Sequence, residues 1–244
     1  MIDTSDFRTQ VRRNAGAGPL YLLADSQLLF WQRRGKMLLD GVRERLLDAN
    51  AVAVYIGASN GDNREFYSIF EAAMDAAGFA DRSMINSSFN ADDRERLNRA
   101  QLIVLAGGDI QLGWNTFERT GMKEQILARH AQGAVLVGVS AGAIQLGRHA
   151  IVDKDETSSA QELIDVFNLV PVIVDVHDEQ REWVRLTSTV RMLEGTVTGI
   201  GIPSGSGIAF EADGTAKALR HAVHEFSCNG GRIVHSLLLP PEED

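Results

Sequence analysis

The sequence predicts a single α/β domain built on a doubly wound, mostly parallel sheet. Three observations carry that reading. Short apolar runs alternate with amphipathic stretches through the first two thirds of the chain, which is the mark of βα units. Several of the runs end at Gly, Asn or Asp, as strands entering tight turns do. A length of 244 residues suits one large core better than two smaller ones.

The strand-length runs are residues 20–23, 52–56, 84–86, 102–105 and 135–139, read together as five buried parallel strands. Between them, residues 37–47 set Leu38, Leu39, Val42, Leu46 and Leu47 on one side of a helix. Residues 66–77 do the same with Phe66, Ile69, Phe70, Ala73 and Ala77, and both helices are expected to cover the sheet. Residues 92–100 form a shorter, charged helix leading into the strand at Leu102. Beyond residue 149 the pattern changes to strands separated by turns, at 150–152, 172–174, 196–202, 208–211, 216–219 and 232–237, where antiparallel additions to the sheet are expected. The domain is expected to span 1–244, with residues 1–18 and 239–244 as flexible ends.

Composition narrows the functional classes. The formal charge of −9, from 24 basic and 33 acidic residues, gives no electrostatic basis for binding nucleic acid or anionic lipid, so a small molecule or peptide is the expected partner. Cys228 is the single cysteine, which excludes an intramolecular disulfide framework and most thiolate metal sites. No stretch reaches the roughly 18 apolar residues of a membrane span, and the N-terminal residues lack the apolar segment of a secretory signal. A cytoplasmic protein is the expectation, with no metal or other cofactor and with a homodimer left open.

The strongest chemical signal is Gly138-Val139-Ser140-Ala141-Gly142-Ala143, which follows an apolar strand run and precedes a helix-compatible stretch. A nucleophile elbow needs this context, because a serine at the tip of a sharp turn brings backbones together and admits only small neighbours. The bland alternative is a serine cap at a glycine-rich strand–helix junction. Residues 105–109, Leu-Ala-Gly-Gly-Asp, end the preceding strand, and in a parallel sheet adjacent strand ends face one crevice. Gly107 and Gly108 are therefore expected near Ser140, with the backbone amides of Gly108 and Ala141 as an oxyanion hole.

A serine hydroxyl needs a base. Of the six histidines, His130, His149, His221 and His224 sit in polar or helix-like surroundings that suggest solvent-facing roles, and His235 lies in the last apolar strand. His177 closes the run Pro171-Val172-Ile173-Val174-Asp175-Val176 and is the candidate base. The acid is ambiguous: Asp155 or Glu156, in the acidic cluster between Ser140 and His177, is the choice, with Asp175 as an outsider. A metal site on Asp175, His177 and Asp178, or on His221 and His224, is a weaker reading. So is a dinucleotide site at Gly57-Ala58-Ser59-Asn60-Gly61, whose glycine spacing fails.

These segments resemble the cyanophycinase and aspartyl dipeptidase (peptidase E) family of serine peptidases, relatives of the class I glutamine amidotransferase fold. Gly107-Gly108-Asp109 resembles the family's Gly-Gly-Asp/Asn segment, residues 138–143 its elbow, and Asp175-Val176-His177 its Asp-x-His, followed by Arg181 and Arg185. The resemblance implies peptide hydrolysis through an acyl-enzyme, an acid between the serine and the histidine, and an aspartyl residue on the acyl side. Asp109, Gln111 and Arg181, with Gly107, are the binding candidates. The chain departs from the family pattern at Asp178, where an aromatic residue is common, and at Ser204, where an acid is expected in Gly-Ile-x-Asp/Glu.

The expected activity is that of a serine peptidase or amidohydrolase on a short peptide or isopeptide. A non-catalytic binding protein of the same fold, and an acyl transferase that tailors a peptide, are the alternatives.

Overall fold

The computed structural model describes residues 17–46, 50–154 and 161–241. The chain begins with β1 (Leu20–Leu23), a 3-10 turn at Ser26–Phe30, and the small hairpin β2 (Gln32–Arg33) and β3 (Lys36–Met37). Four helix–strand units follow in the α/β manner: α1 (Leu38–Leu46), β4 (Ala53–Ile56), α2 (Arg64–Ala77), β5 (Arg82–Ile85), α3 (Ala91–Arg99), β6 (Leu102–Leu105), α4 (Ile110–Thr120), α5 (Met122–Ala131) and β7 (Val135–Val139). The rest comprises α6 (Ala141–Gln145), β8 (His149–Asp153), β9 (Gln161–Asp165), β10 (Val172–Val176), α7 (Val184–Met192), β11 (Thr198–Ile202), β12 (Gly207–Phe210), β13 (Ala216–Leu219), β14 (Val223–Asn229) and β15 (Arg232–Leu238).

The main sheet runs β13-β12-β1-β7-β6-β4-β5. Its five expected strands are parallel, and β12 and β13 extend the β1 edge antiparallel. The five are buried because both faces are covered, and alternate residues go to opposite cores. Val54, Ile56, Ile103, Leu105 and Leu136 pack with Leu97, Trp114, Phe117 and Ile126 of α3, α4 and α5. Tyr55, Leu102, Val104, Val137 and Val139 pack with Leu39, Val42, Phe70 and Met74 of α1 and α2. Each fully buried Leu or Phe here contributes about 1.5–3 kcal/mol relative to exposure.

Helix starts follow from side chains that satisfy free amides. Asn63 accepts from Glu65 N at the start of α2, and Asn90 and Asp93 form a reciprocal capping box at α3. That box explains why Asp93 is buried in a helix whose composition reads as wholly solvated.

A second sheet, β10-β11-β14-β15, was expected only as additions to the first. Its β10 and β11 are parallel, and α7 packs on it through Trp183, Leu186 and Val190. Glycines in β11 make that packing close: a Cβ on Gly201 would lie 2.7 Å from the Trp183 ring. The sequence pattern missed α4, α5, α7, β9 and β14. It also misjudged His130, which is buried on α5 with Nδ1 3.2 Å from Ala134 O and whose burial pushes its pKa down, against that backbone contact.

The second sheet holds His177 and is tied to the first through the crossover after β11. His177 N donates to Ile202 O, and the four-residue crossover Pro203, Ser204, Gly205, Ser206 leads from β11 into β12, where Ala24 N donates to Ser206 O. Gly205 N donates to Asp25 Oδ2 at 2.5 Å, while Asp25 Oδ1 caps the turn at Ser26–Phe30.

The elbow is closely packed beneath its tip. A Cβ on Gly138 would meet Gly142 O, and one on Gly142 would meet Leu105 O. Gly138→Ala and Gly142→Ala are each expected to destabilise by about 1–3 kcal/mol, the range of overpacked positions. Thermal melts should show the midpoint lowered by several degrees, at roughly 2–4 °C per kcal/mol for a chain of this length.

Candidate active site

Ser140 stands between β7 and α6 at φ 50° and ψ −111°, a strained backbone for a residue with a side chain. Its N donates to Leu23 O, and its own carbonyl accepts from Ala143 N and Ile144 N. The turn therefore hangs from β1 on one side and opens α6 on the other. The hydroxyl makes no capping bond to α6. It lies 2.9 Å from His177 Nε2 instead, which decides between an elbow and a serine cap in favour of the elbow. With the imidazole proton on Nδ1, Ser140 Oγ–H donates to Nε2.

His177 follows β10 in the left-handed region, φ 44°, held by its bond to Ile202 O. Strain at both members of a pair persists only where surrounding structure over-determines it, and here the main-chain bonds to β1 and β11 do so.

Gly107 and Gly108 lie beside the pair as expected. A Cβ on Gly107 would come within 3.2 Å of Ser140 Cβ and 3.3 Å of Val139 O. Gly108 has φ 136°, and a Cβ there would run into Ser59 O. Behind this loop, Asn60 Nδ2 donates to Gly107 O at 3.2 Å and to the Tyr55 hydroxyl at 2.9 Å, and Asp109 N donates to Ser59 O at 2.7 Å. Gln145 of α6, fully buried, donates to Ser59 Oγ and to Ile110 O. The segment 57–61, a poor dinucleotide motif, is thus the buttress of the Gly107–Gly108 loop. Gly108 lines the cavity at Ser140, and Ala141 opens the helix that follows it.

The other sequence candidates fall elsewhere. Asp109 is exposed and caps α4, its Oδ1 accepting from Leu112 N at 2.7 Å. Gln111 is exposed on α4, and Arg181 is exposed with Nη1 3.8 Å from Asp178 Oδ1; neither lines the cavity at Ser140. Asp155 and Glu156 lie outside the described residues.

Carboxylates cluster around His177. Glu179 interacts electrostatically with His177; its Oε1 accepts from Ser204 N at 3.2 Å, and its Oε2 is buried without a hydrogen-bond partner among the described residues. Burial pulls the Glu179 carboxyl upward, but hydrogen bonds from its own backbone and from Ser204, together with His177, hold it below its ordinary value. Burial drives Asp175 the other way, above its ordinary 3.8, with Arg185 opposing and Asp178 adding to the rise. Asp175 Oδ1 accepts from Val176 N and weakly from Arg185, while Oδ2 has no partner. Glu179 was missed in the sequence; the signal was an acid two residues beyond the candidate base, beside a serine where an acid is expected.

A cavity of about 290 Å³ opens beside Ser140, and Ser140, His177, Gly107 and Gly108 line it. Its apolar wall includes Phe66, Ile69 and Phe70 of α2, residues that the periodicity assigns to the sheet-covering face. Phe66 is instead 52% exposed, at the cavity mouth.

These features define an α/β protein of the doubly wound class that carries a serine and a histidine in contact at the carboxyl ends of its parallel strands. Residues 58–218 match the model of Peptidase family S51. The chain belongs to that family, and is a peptidase by that membership. Among solved structures, a peptidase from an acI-B1 Actinobacterium is similar at 21% identity and a TM-score of 0.67, covering 94% of this chain and 97% of that one. A putative peptidase E protein from Listeria monocytogenes EGD-e is similar at 16% identity and a TM-score of 0.57, covering 91% and 99%. At these identities the likeness is one of fold. No curated protein matches the sequence.

Two outcomes are expected. Gly108→Ala, forced into a left-handed backbone against Ser59 O, should reduce turnover by about 10²-fold or more, the scale of a lost oxyanion donor, in steady-state kinetics. The native Asp175 carboxyl holds its proton more tightly than the unfolded chain does. Wild-type stability relative to Asp175→Asn should therefore be greatest below the ordinary 3.8 and fall as pH rises from there, as urea melts over a pH series would record.

Proposed function

We propose that the protein is a serine peptidase that hydrolyses a short peptide through an acyl-enzyme on Ser140. The observation that carries this reading is the 2.9 Å contact between Ser140 Oγ and His177 Nε2 at the tip of a strained strand-to-helix turn.

In this mechanism Ser140 Oγ attacks the scissile carbonyl carbon while His177 Nε2 takes the hydroxyl proton. The negative charge that develops on the carbonyl oxygen is met by the Gly108 and Ala141 amides, fixed before the reaction starts. The C–N bond breaks, and the amine leaves with the proton that His177 carries. Water then attacks the ester, gives a proton to His177, and the carboxylate product departs as the hydroxyl of Ser140 is restored. Solvent exposure of His177 gives water access to the base for this second step.

Glu179 is our positioning carboxylate for His177 among the described residues; its electrostatic interaction with the ring and its unpartnered buried oxygen support that role. It stands two residues from the base and receives the amide of Ser204, the position at which the family resemblance leads one to expect an acid. Asp155 and Glu156 are the alternatives from the sequence.

Mass-spectrometric hydrolysis of N-terminal Asp dipeptides, β-aspartyl peptides and neutral dipeptides tests the reading and the aspartyl acyl side that the resemblance implies. Ser140→Ala is expected to abolish cleavage without unfolding, and His177→Ala to cost about 10⁴-fold or more, typical of residues that act as a unit. Wild-type rates in either variant would sink the mechanism. Glu179→Gln is expected to lower kcat at least tenfold with KM and the melting temperature unchanged, by analogy with loss of an imidazole-orienting carboxylate. If only Asp155→Asn or Glu156→Gln does so, the acid is there instead.

A further inference from the structure

We propose that the cavity beside Ser140 selects a large apolar residue on the acyl side of the scissile bond and rejects an aspartyl one. The inference rests on the serine mechanism proposed above and assigns the substrate class for the same site.

The cavity wall is built from Leu29, Tyr55, Phe66, Ile69, Phe70 and Val104. Its aromatic part is continuous: the Tyr55 and Phe70 ring centroids are 5.5 Å apart, and Tyr67 packs behind both at 5.7 Å. About 290 Å³ lies at the lower end of the 300–1,000 Å³ range for small-molecule sites, room for one large side chain rather than an extended peptide. Phe66, at the mouth, is a large apolar side chain left 52% exposed, and an apolar substrate group would cover it.

Charge points the same way. Among the described residues that line the cavity there is no lysine or arginine, and the one carboxylate is Asp25. That carboxylate is fixed, because Oδ1 accepts from Gln27 N at 3.0 Å and Oδ2 from Gly205 N at 2.5 Å. An aspartyl side chain entering here would lose its hydration, find no lysine or arginine, and meet a like charge held in place. A leucyl or phenylalanyl side chain would meet the apolar wall of Leu29, Phe66, Ile69, Phe70 and Val104 without such a cost.

Geometry assigns the acyl side. The cavity lies along the ends of β1, β4, β6 and β7 and is lined by Gly107 and Gly108 as well as by Ser140 and His177. The residue bonded to the attacked carbonyl must project from that carbon while its oxygen faces those amides. His177, which hands the proton to the leaving amine, borders the cavity from the end of β10, so the acyl-side assignment rests on the wall that Gly107 and Gly108 form.

The test has two independent parts. A fluorophosphonate probe forms an Oγ–P bond with loss of fluoride and reports the nucleophile whatever the peptide preference. Intact-protein mass spectrometry should show one adduct on wild type and none on Ser140→Ala. Relative kcat/KM is then measured on Phe-Ala, Leu-Ala, Gly-Ala and Asp-Ala. Phe-Ala or Leu-Ala is expected to exceed Asp-Ala by at least about 10²-fold and Gly-Ala by at least about tenfold, the scale on which apolar pockets discriminate. Phe66→Ala, at an exposed position that leaves the fold intact, should reduce the Phe-Ala to Gly-Ala ratio at least several-fold. Ile69→Arg should raise Asp-Ala relative to Leu-Ala at least tenfold. An enzyme that labels at Ser140 yet cleaves Asp-Ala as well as Leu-Ala, or cleaves none of the four, overturns the pocket assignment and leaves the serine reading standing. Absence of labelling overturns the serine reading and the pocket assignment with it.

Discussion

The hydrogen bond between Ser140 and His177 is the constraint on which the other arrangements of this molecule depend, because its two ends belong to different sheets. Holding atoms from two sheets 2.9 Å apart requires that the sheets keep one relative position. Main-chain bonds supply that. Ser140 N hangs on Leu23 O, and the next residue, Ala24, donates to Ser206 O. From Ser206 the chain runs back to Ile202, whose carbonyl holds His177 N. The path from Ser140 to His177 runs through backbone groups alone, by way of β1, the crossover and β11, and the side-chain bond closes it.

Around that circuit the local conformations are strained, and close packing makes them tolerable. Ser140 and His177 both have positive φ, each a cost of about 1–3 kcal/mol by general experience. Glycines at 138 and 142 let β7, α6 and β6 approach without side chains between them. Ser59, Asn60 and Gln145 perform a parallel service for the Gly107–Gly108 loop, with hydrogen bonds in place of apolar contact. Rigid donors at a developing charge need no reorganisation during reaction, which is the advantage such a support confers.

How much of this could be read in the sequence depended on how local each feature is. The elbow is contiguous, so Ser140, Gly138 and Gly142 announce themselves, and His177 stands out because it ends a strand. The five parallel strands were legible because burial on both faces leaves unbroken apolar runs. β14 was hidden by its composition, Val-His-Glu-Phe-Ser-Cys-Asn, which suits a strand with one half-covered face. β9 was hidden because it pairs only with β8 and stays largely half-exposed. Phe66, Ile69 and Phe70 were seen as a helix face, but periodicity cannot tell whether such a face ends over the sheet or runs past it to a cavity. Glu179 and Asn60 matter through contacts made by folding, and no spacing rule marks them. Asp109, Gln111 and Arg181 were carried by resemblance, and their surroundings are those of a helix cap and of solvent.

Because the Ser140–His177 alignment is carried by peptide groups, it is encoded in chain length more than in side-chain identity. In the crossover, Pro203 and Ser204 can exchange side chains and still deliver Ile202 O to one sheet and Ser206 O to the other, whereas Gly205 sits at φ 69° and the buried Ser206 hydroxyl donates to Leu219 O and His221 O. An insertion or deletion there would shift the two carbonyls against each other and carry the base away from the nucleophile. The segment is therefore intolerant of a change in length, the reverse of what is usual for a surface loop.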